Sequence, residues 1–377
     1  MYGRQNMNYR KFGSTGVEVS ALGFGCMRFP VIKEGEQEKI DEEKAIGMIR
    51  HAIDTGVNYI DTAYYYHNGE SEPLVGKALQ NGYREKTYLA TKCPVWALKE
   101  EADFEKILDD QLAKLQTDHI DFYLLHALSK ESFENGVKKL NLTAHMEKAR
   151  EAGKIRYLGF SFHDTLETFK DIVDYYPWDF CQIQYNYVNT EYQAGREGLQ
   201  YAASKGMGVV IMEPLLGGRL ADPAPHHRDV FPMEKTPVEW TLDFLWDQKE
   251  VSLLLSGMSS PQQVEDNLTY AARSSAGMLT DEERQIFVKA KEIFDNMALV
   301  RCTKCAYCMP CPAGIDIPGT FAVYNKVATD GMNKAKEEYE QLKVKADACL
   351  RCRKCEHVCP QHIGISMLMT EIAEKFE

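Results

Sequence analysis

The stretch TYLATKCPVWALKEEADFEKILDDQLAKLQTDHIDFYLLH, residues 87–126, decides the fold. Its ends are short apolar runs, TYLAT at 87–91 and IDFYLL at 120–125, and between them DFEKILDDQLAKLQ repeats apolar residues at helical spacing. Strand, helix, strand is a crossover unit, the connection that parallel strands require. The alternation continues outward in both directions. Further strands are expected near 20–25 (SALGFG), 57–61 (VNYID), 155–160 (IRYLGF), 180–185 (FCQIQY), 207–212 (MGVVIM) and 252–256 (SLLLS), with helical stretches such as EEKAIGMIRHAIDTG and PQQVEDNLTYAAR between strands. Eight strand–helix units between residues 18 and 272 match a (β/α)8 TIM barrel in count and size. An open doubly wound sheet is the alternative, but no G-x-G-x-x-G opens a helix after the first strand. The predicted class is α/β, a barrel over residues 1–280.

Beyond the barrel the composition changes. Eight of the 11 cysteines lie in two runs. Cys302, Cys305, Cys308 and Cys311 precede Pro312 as C-x2-C-x2-C-x2-C-P, and Cys349, Cys352, Cys355 and Cys359 precede Pro360 as C-x2-C-x2-C-x3-C-P. A cubane iron–sulfur cluster needs four thiolates, and C-x2-C-x2-C presents three from one short loop; in two-cluster ferredoxins the cysteine before proline ligates the other cluster. Two [4Fe–4S] clusters with crossed fourth ligands are expected. Zinc ribbons use two pairs separated by a longer gap. Disulfides are disfavoured because MYGRQNMNYRKFG carries no apolar signal segment, which places the chain in the reducing cytoplasm. Residues 281–300 read as a connecting helix, and the stretch between Cys311 and Cys349 is rich in Ala, Lys and Glu. Residues 281–377 are therefore expected to form a small, mostly helical ferredoxin-type domain.

Formal net charge is −12, which argues against nucleic acid and anionic membrane as partners, and no apolar run reaches eighteen residues. Basic residues beside the cysteines (Lys304, Arg351, Arg353, Lys354) either offset the negative clusters, dock an acidic redox partner, or form a solvated face. Cys26, Cys93 and Cys181, in or beside strands, read as small buried hydrophobes, and Trp178, Trp240 and Trp246 as packing.

Barrel enzymes place their chemistry at the C-terminal ends of the strands. Asp61 closes the second strand, Lys92 the third and His126 the fourth. By strand alternation Asp61 shares a face with Tyr59, Lys92 with Ala90, and His126 with Leu124. If that face is the interior, an acid, an amine and an imidazole meet at one mouth. Tyr66, five residues beyond Asp61, adds a phenol from the following loop.

These residues carry a resemblance. IDTAYYYHNGESEPLVGKAL, LATK, DFYLLH and IRYLGFS, with the opening YRKFGSTGVEVSALGFG, resemble the aldo-keto reductases over residues 8–272; the cysteine domain resembles the four-iron ferredoxin extension of one branch of that family. The resemblance implies a catalytic tetrad of Asp61, Tyr66, Lys92 and His126. In it Tyr66 protonates a carbonyl oxygen as hydride arrives from a reduced nicotinamide, Lys92 favours the phenolate, Asp61 holds Lys92, and His126 orients the carbonyl. It also places cofactor contacts at Ser161, Gln182, Met212, Gly217, Gly218, Gln263 and Asn267. Several depart from the family pattern. Phe162 stands where the strand-five motif has Asn after Ser161, and Met212 where an aromatic stacks on the nicotinamide. Gly257 and Gln263 stand where many members carry Lys and Arg for the 2′-phosphate. Without an arginine fork that phosphate loses its best partner, so NADH is expected to bind at least as well as NADPH.

Nicotinamide moves two electrons as hydride, whereas each cluster moves one. Joining them directly needs a splitter such as FMN, for which a barrel phosphate site has room but no residue speaks. Two functions follow. One is an oxidoreductase acting on an aldehyde, ketone or sugar carbonyl, or on the alcohol, with clusters serving a ferredoxin or other redox protein. The alternative is an electron-transfer or docking protein whose barrel is a scaffold. The substrate rests on loops 127–142 and 218–237, which carry no readable code.

Overall fold

A computed structural model describes residues 7–34, 37–297 and 299–376. The chain divides into two compact units. The first comprises Met1–Pro214 and Leu242–Thr280; the second comprises Leu215–Thr241 and Asp281–Glu377.

In the first unit eight parallel strands close into a barrel: β1 (Leu22–Gly25), β2 (Tyr59–Asp61), β3 (Tyr88–Cys93), β4 (Ile120–Leu128), β5 (Ile155–Phe162), β6 (Phe180–Gln184), β7 (Gly208–Met212) and β8 (Leu253–Gly257), with β8 pairing back onto β1. The α/β barrel expected from the alternation is the observed fold. Most strand residues are buried on both faces because the barrel fills its inside and helices cover its outside. The helices carry the matching stripe. In α1 (Ala102–Leu115) Phe104, Leu108, Gln111 and Leu115 are the buried positions, spaced by one or two turns. The chain leaves that helix through Gln116 in the left-handed region (φ 54°), which turns it back toward β4.

The bottom of the barrel is plugged from the N-terminus. A hairpin of Tyr9–Lys11 and Glu18–Ser20 carries Phe12 into the interior, against Tyr59, Phe122 and Phe180 at ring separations of 6.1, 4.6 and 5.5 Å. Gly208 makes room for it: a Cβ there would lie 2.5 Å from the Phe12 ring. Tyr59, Ala90, Phe122 and Leu124 belong to this same interior cluster. The interior face is therefore the face that carries Asp61, Lys92 and His126. Cys26, Cys93, Cys181, Trp178 and Trp246 are all buried, as packing residues should be. A second hairpin, Val31–Glu34 with Gln37–Ile40, follows β1 and had no signal in the strand pattern.

The second unit has its own apolar core. Val300, Ile315, Phe321, Tyr324, Tyr339, Ile365, Met369, Ile372 and Phe376 pack together, with cysteines of both runs against them. Its longer helices include α2 (Asp281–Met297), α3 (Ile317–Thr329), α4 (Met332–Glu340) and α5 (Ile365–Phe376), so the expected helical character holds. The segment Leu215–Thr241, which follows β7, groups with this unit rather than with the strand before it. Among the described residues no helix is long and apolar enough to cross a membrane.

Candidate functional site

Asp61, Lys92 and His126 stand near the C-terminal ends of β2, β3 and β4, each two residues further along its strand than the one before, since Asp61 pairs with Ala90 and Lys92 with Leu124. Lys92 Nζ donates to Asp61 Oδ1 at 2.7 Å, to Asp61 Oδ2 at 2.8 Å and to the Thr62 carbonyl at 2.7 Å. These three acceptors saturate an ammonium. The Tyr66 hydroxyl lies 3.4 Å from the same nitrogen, and its ring lies 4.9 Å beneath it. Lys92 is fully buried and Asp61 nearly so (2 %), so the pair interacts without solvent screening. Burial pushes the Asp61 carboxyl above its ordinary range, and Lys92 works against that push.

His126 faces the Tyr66 ring edge-on at 6.1 Å and the Trp96 ring at 5.0 Å. Burial, the Lys92 cation and His163 drive its pKa well below the ordinary value, so the imidazole is neutral at physiological pH. Its Nδ1 is buried without a partner. Tyr65 stacks on Trp96 at 6.1 Å, which extends an aromatic wall beside His126.

The strands opposite carry amides. Ser161 Oγ accepts from the Ala127 amide at 2.7 Å and keeps its own proton to donate. Gln182 pairs in register with Ser161 and donates to Met212 Sδ at 3.5 Å, and its Oε1 is buried without a partner. Gln184, two residues on and therefore on the same face, has both side-chain atoms unpartnered. Gln263 Oε1 accepts from the Ser259 amide at 2.8 Å, and Asn267 donates to Ser256 Oγ at 2.9 Å. Gly217 and Gly218 lie in the second unit, where a Cβ on Gly217 would fall 2.0 Å from the Thr303 carbonyl oxygen. That close backbone approach is what requires glycine at 217.

The two cysteine runs fold alike. The second residue after Cys302 and after Cys349 (Lys304, φ 55°; Arg351, φ 52°) is left-handed, and so is the fourth (Ala306, φ 63°; Arg353, φ 58°). In each run the second residue donates its amide to the first sulfur at 3.4 Å. One cavity is lined by Cys302, Cys305, Cys308 and Cys359; another, of about 310 Å³, by Cys311, Cys349, Cys352 and Cys355. Cys308 lines both, so the cavities adjoin. Burial first, then the neighbouring sulfurs of Cys305, Cys302 and Cys359, push the Cys308 thiol up to about 12. Four thiols crowded round an apolar hollow of Ile317, Phe321 and Ile365 fit a polynuclear iron centre, which reverses that shift by binding them as thiolates.

The sequence matches the profile of the Aldo/keto reductase family over residues 21–285, and that of a 4Fe-4S dicluster domain over residues 301–363. The chain belongs to the aldo/keto reductase family. An L-galactose dehydrogenase from Arabidopsis thaliana is 29% identical over 307 residues, covering 74% of this chain and 93% of its own length. The aldo-keto reductase YhdN of Bacillus subtilis (strain 168) is 32% identical over 225 residues, 57% of this chain and 64% of its own. Among solved structures, an aldo-keto reductase from Bacillus halodurans in its holo form aligns with TM-score 0.64 at 28% identity, covering 75% of this chain and 96% of that one. The protein is accordingly an oxidoreductase with an added iron–sulfur domain.

For this aldo/keto reductase the sequence missed several neighbours of the site. Phe162, in the position of the family's asparagine, turns outward onto Phe169 (5.1 Å) of the helix Leu166–Tyr175. The next polar side chain is His163, whose Nδ1 lies 3.2 Å from Gln193 Oε1 and whose charge enters the balance at His126. Glu72 is fully buried behind β3: its Oε1 accepts from Thr91 Oγ1 and from Gln111 Nε2, both at 2.6 Å. Gln111 also donates to the Lys92 carbonyl at 3.1 Å, fixing the backbone that carries the amine. Arg28 passes its methylenes over Gly257, within 3.4 Å of where a Cβ would be. Glu213 follows Met212 in the left-handed region (φ 54°); burial, opposed by Arg28, raises its carboxyl to about 7. Alternation signalled Gln184; nothing local marked Arg28 or Glu213.

Proposed function

We propose that the barrel mouth carries out carbonyl–alcohol interconversion with Tyr66 as the proton donor, and that the dicluster domain passes single electrons to a ferredoxin or other redox protein. The observation that carries the reading is the Lys92 ammonium, locked by Asp61 and the Thr62 carbonyl and left 3.4 Å from the Tyr66 hydroxyl. A phenol yields its proton more readily when a fixed cation stabilises the phenolate left behind. His126, neutral, offers one N–H to the substrate oxygen and so fixes where that oxygen sits relative to Tyr66. Trp96 and Tyr65 form an apolar wall that suits the body of an aldehyde, ketone or sugar, the last a class that the name of the Arabidopsis relative includes.

A nicotinamide fits the amide-rich side of the mouth, because the orphaned Gln182 Oε1 and the Ser161 hydroxyl are a ready acceptor and donor for its carboxamide. When bound, the reduced nicotinamide supplies hydride. Asn267 and Gln263 are held by neighbouring hydroxyl and amide groups, and Gly257 has no side chain, so NADH serves at least as well as NADPH. Cys302, Cys305, Cys308 and Cys359 hold one cluster, and Cys311, Cys349, Cys352 and Cys355 the other.

Tyr66→Phe tests the reading. Reduction of a carbonyl panel with NADH should fall by about 10²–10⁴-fold, the usual worth of a positioned acid, while iron content and visible absorbance stay at the wild-type level. Unchanged turnover would remove Tyr66 from the role of acid and the family mechanism with it.

A further inference from the structure

The second unit contains a cavity of about 440 Å³ apart from the two cysteine cavities just described. Its walls come from the segment after β7, from α2, from the first cysteine loop and from α3. Four cations line it (Arg219, Arg228, Lys304 and Lys326) against two carboxylates, Asp222 and Asp330. Both acids are occupied: Asp222 pairs with Arg228 at 2.7 Å, and Asp330 with Lys334 at 2.8 Å. Lys326 is held by Glu338. Arg219 and Lys304 have no carboxylate partner among the described residues. Arg219 donates to the Val300 carbonyl at 3.3 Å and lies 4.8 Å over the Phe294 ring, which leaves most of its guanidinium fork unused. In a chain of net charge −12, a hollow where two cations face inward without a carboxylate partner attracts anions.

The rest of the lining decides what kind of anion. Phe294, Pro223, Pro225 and Pro318 give the cavity an apolar side. The volume lies in the range of small-molecule sites, roughly 300–1,000 Å³, and is far more than a bare phosphate needs. A guanidinium fork beside a lysine matches a phosphate group better than a lone carboxylate. We propose that this cavity binds a mononucleotide-type phosphate ester, its phosphate on Arg219 and Lys304 and its flat body against the prolines and Phe294. Cys302 is part of the same wall, so the bound phosphate lies beside one thiolate of the first cysteine set. Negative charge placed there opposes adding an electron to a cluster on that set, and its reduction potential falls when the site fills.

The test uses the full-length, cluster-loaded protein with NAD⁺ at saturation, so that the barrel mouth is already filled. FMN is titrated by fluorescence and AMP by calorimetry, with inorganic phosphate as the arm for phosphate alone. Saturable binding of a mononucleotide is expected, weakened about tenfold, 1.4 kcal/mol, by Lys304→Glu and by Arg228→Glu. The second variant lies away from the cysteine loop, and iron content is checked for both. Filling the site should move the redox midpoint of one cluster, and not the other, to more negative potential. No mononucleotide binding at millimolar concentration, binding indifferent to both charge reversals, or phosphate binding as tightly as the esters would each overturn the proposal. The outcome is separable from the carbonyl reading, because Tyr66→Phe should leave it untouched.

Discussion

Lys92→Met removes an amine that three oxygens surround at 2.7–2.8 Å while keeping most of the side-chain volume. What it leaves behind determines the effect. Asp61 is 2% exposed, already pushed toward its neutral form by burial, and Lys92 is the counter-charge that opposes this. Stripping one partner from a buried pair costs about 3–5 kcal/mol, because the remaining charge must be neutralised or left unsolvated. For a domain of this size a kilocalorie moves the midpoint by about 2–4 °C, so a fall of roughly 6–20 °C is expected. Asp61→Asn should cost a similar amount from the other side, stranding an ammonium with the Thr62 carbonyl. The double variant Asp61→Asn/Lys92→Met removes both charges and should be more stable than the sum of the singles implies, by about 2–3 kcal/mol.

The measurements are thermal melting for the midpoint and urea denaturation for the free energies, both followed by far-UV circular dichroism, with cluster absorbance recorded separately so that loss of iron is not counted as barrel unfolding. Both singles and the double should lose turnover, since each removes the cation beside Tyr66 or its anchor. Stability and activity therefore part company in the double variant. The coupling should also resist salt, because a pair this deeply buried is hardly screened. Single-variant costs under about 1 kcal/mol, the worth of a surface pair, or a coupling that vanishes in salt, would refute the burial on which the mechanism depends.

Three more outcomes follow from the geometry. Cys359→Ser should damage the cluster held by Cys302, Cys305 and Cys308 and spare its neighbour, because Cys359 lines their cavity; electron paramagnetic resonance that assigned the loss to the Cys349–Cys355 set would overturn the crossed arrangement. NADH should bind at least as tightly as NADPH; a tenfold preference for NADPH, about 1.4 kcal/mol, would put the 2′-phosphate on Arg28, the cation that lies over Gly257, and Arg28→Ala should then erase it. Glu213 has a folded pKa of about 7 against an ordinary 4.5, so the fold favours its neutral form. Stability should therefore decline as pH rises from about 4.5 to 7 and level off above, and Glu213→Gln should flatten that slope in melting curves.

The legible parts of this chain were those governed by a fixed period. Parallel strands show every second residue to the interior, so Asp61, Lys92 and His126 could be placed from Tyr59, Ala90 and Leu124 alone. The cysteine runs were legible for a similar reason, since three-residue spacing goes with the same left-handed turns in both loops, and Cys359, one residue out of that spacing, lines the cavity of the first run. The limits came beyond the strands. His163 follows β5 in step with Ser161, while Phe162 between them packs outward on Phe169. Glu72 reads as an exposed helix residue until Thr91 and Gln111 close over it.

Chain order makes Leu215–Thr241 a barrel loop, yet it groups with the second unit. Its place in the second unit is set by contacts remote in sequence, among them the Gly217 approach to Thr303 and the Arg219 donation to Val300. Those two contacts pin the loop against the residues that flank Cys302. The loop that follows β7 thus forms a wall of the cluster unit, and Gly217, expected as a cofactor contact, lies against the backbone carbonyl of Thr303. No propensity scale contains that exchange, because it depends on a second domain arriving nearly ninety residues later in the same chain.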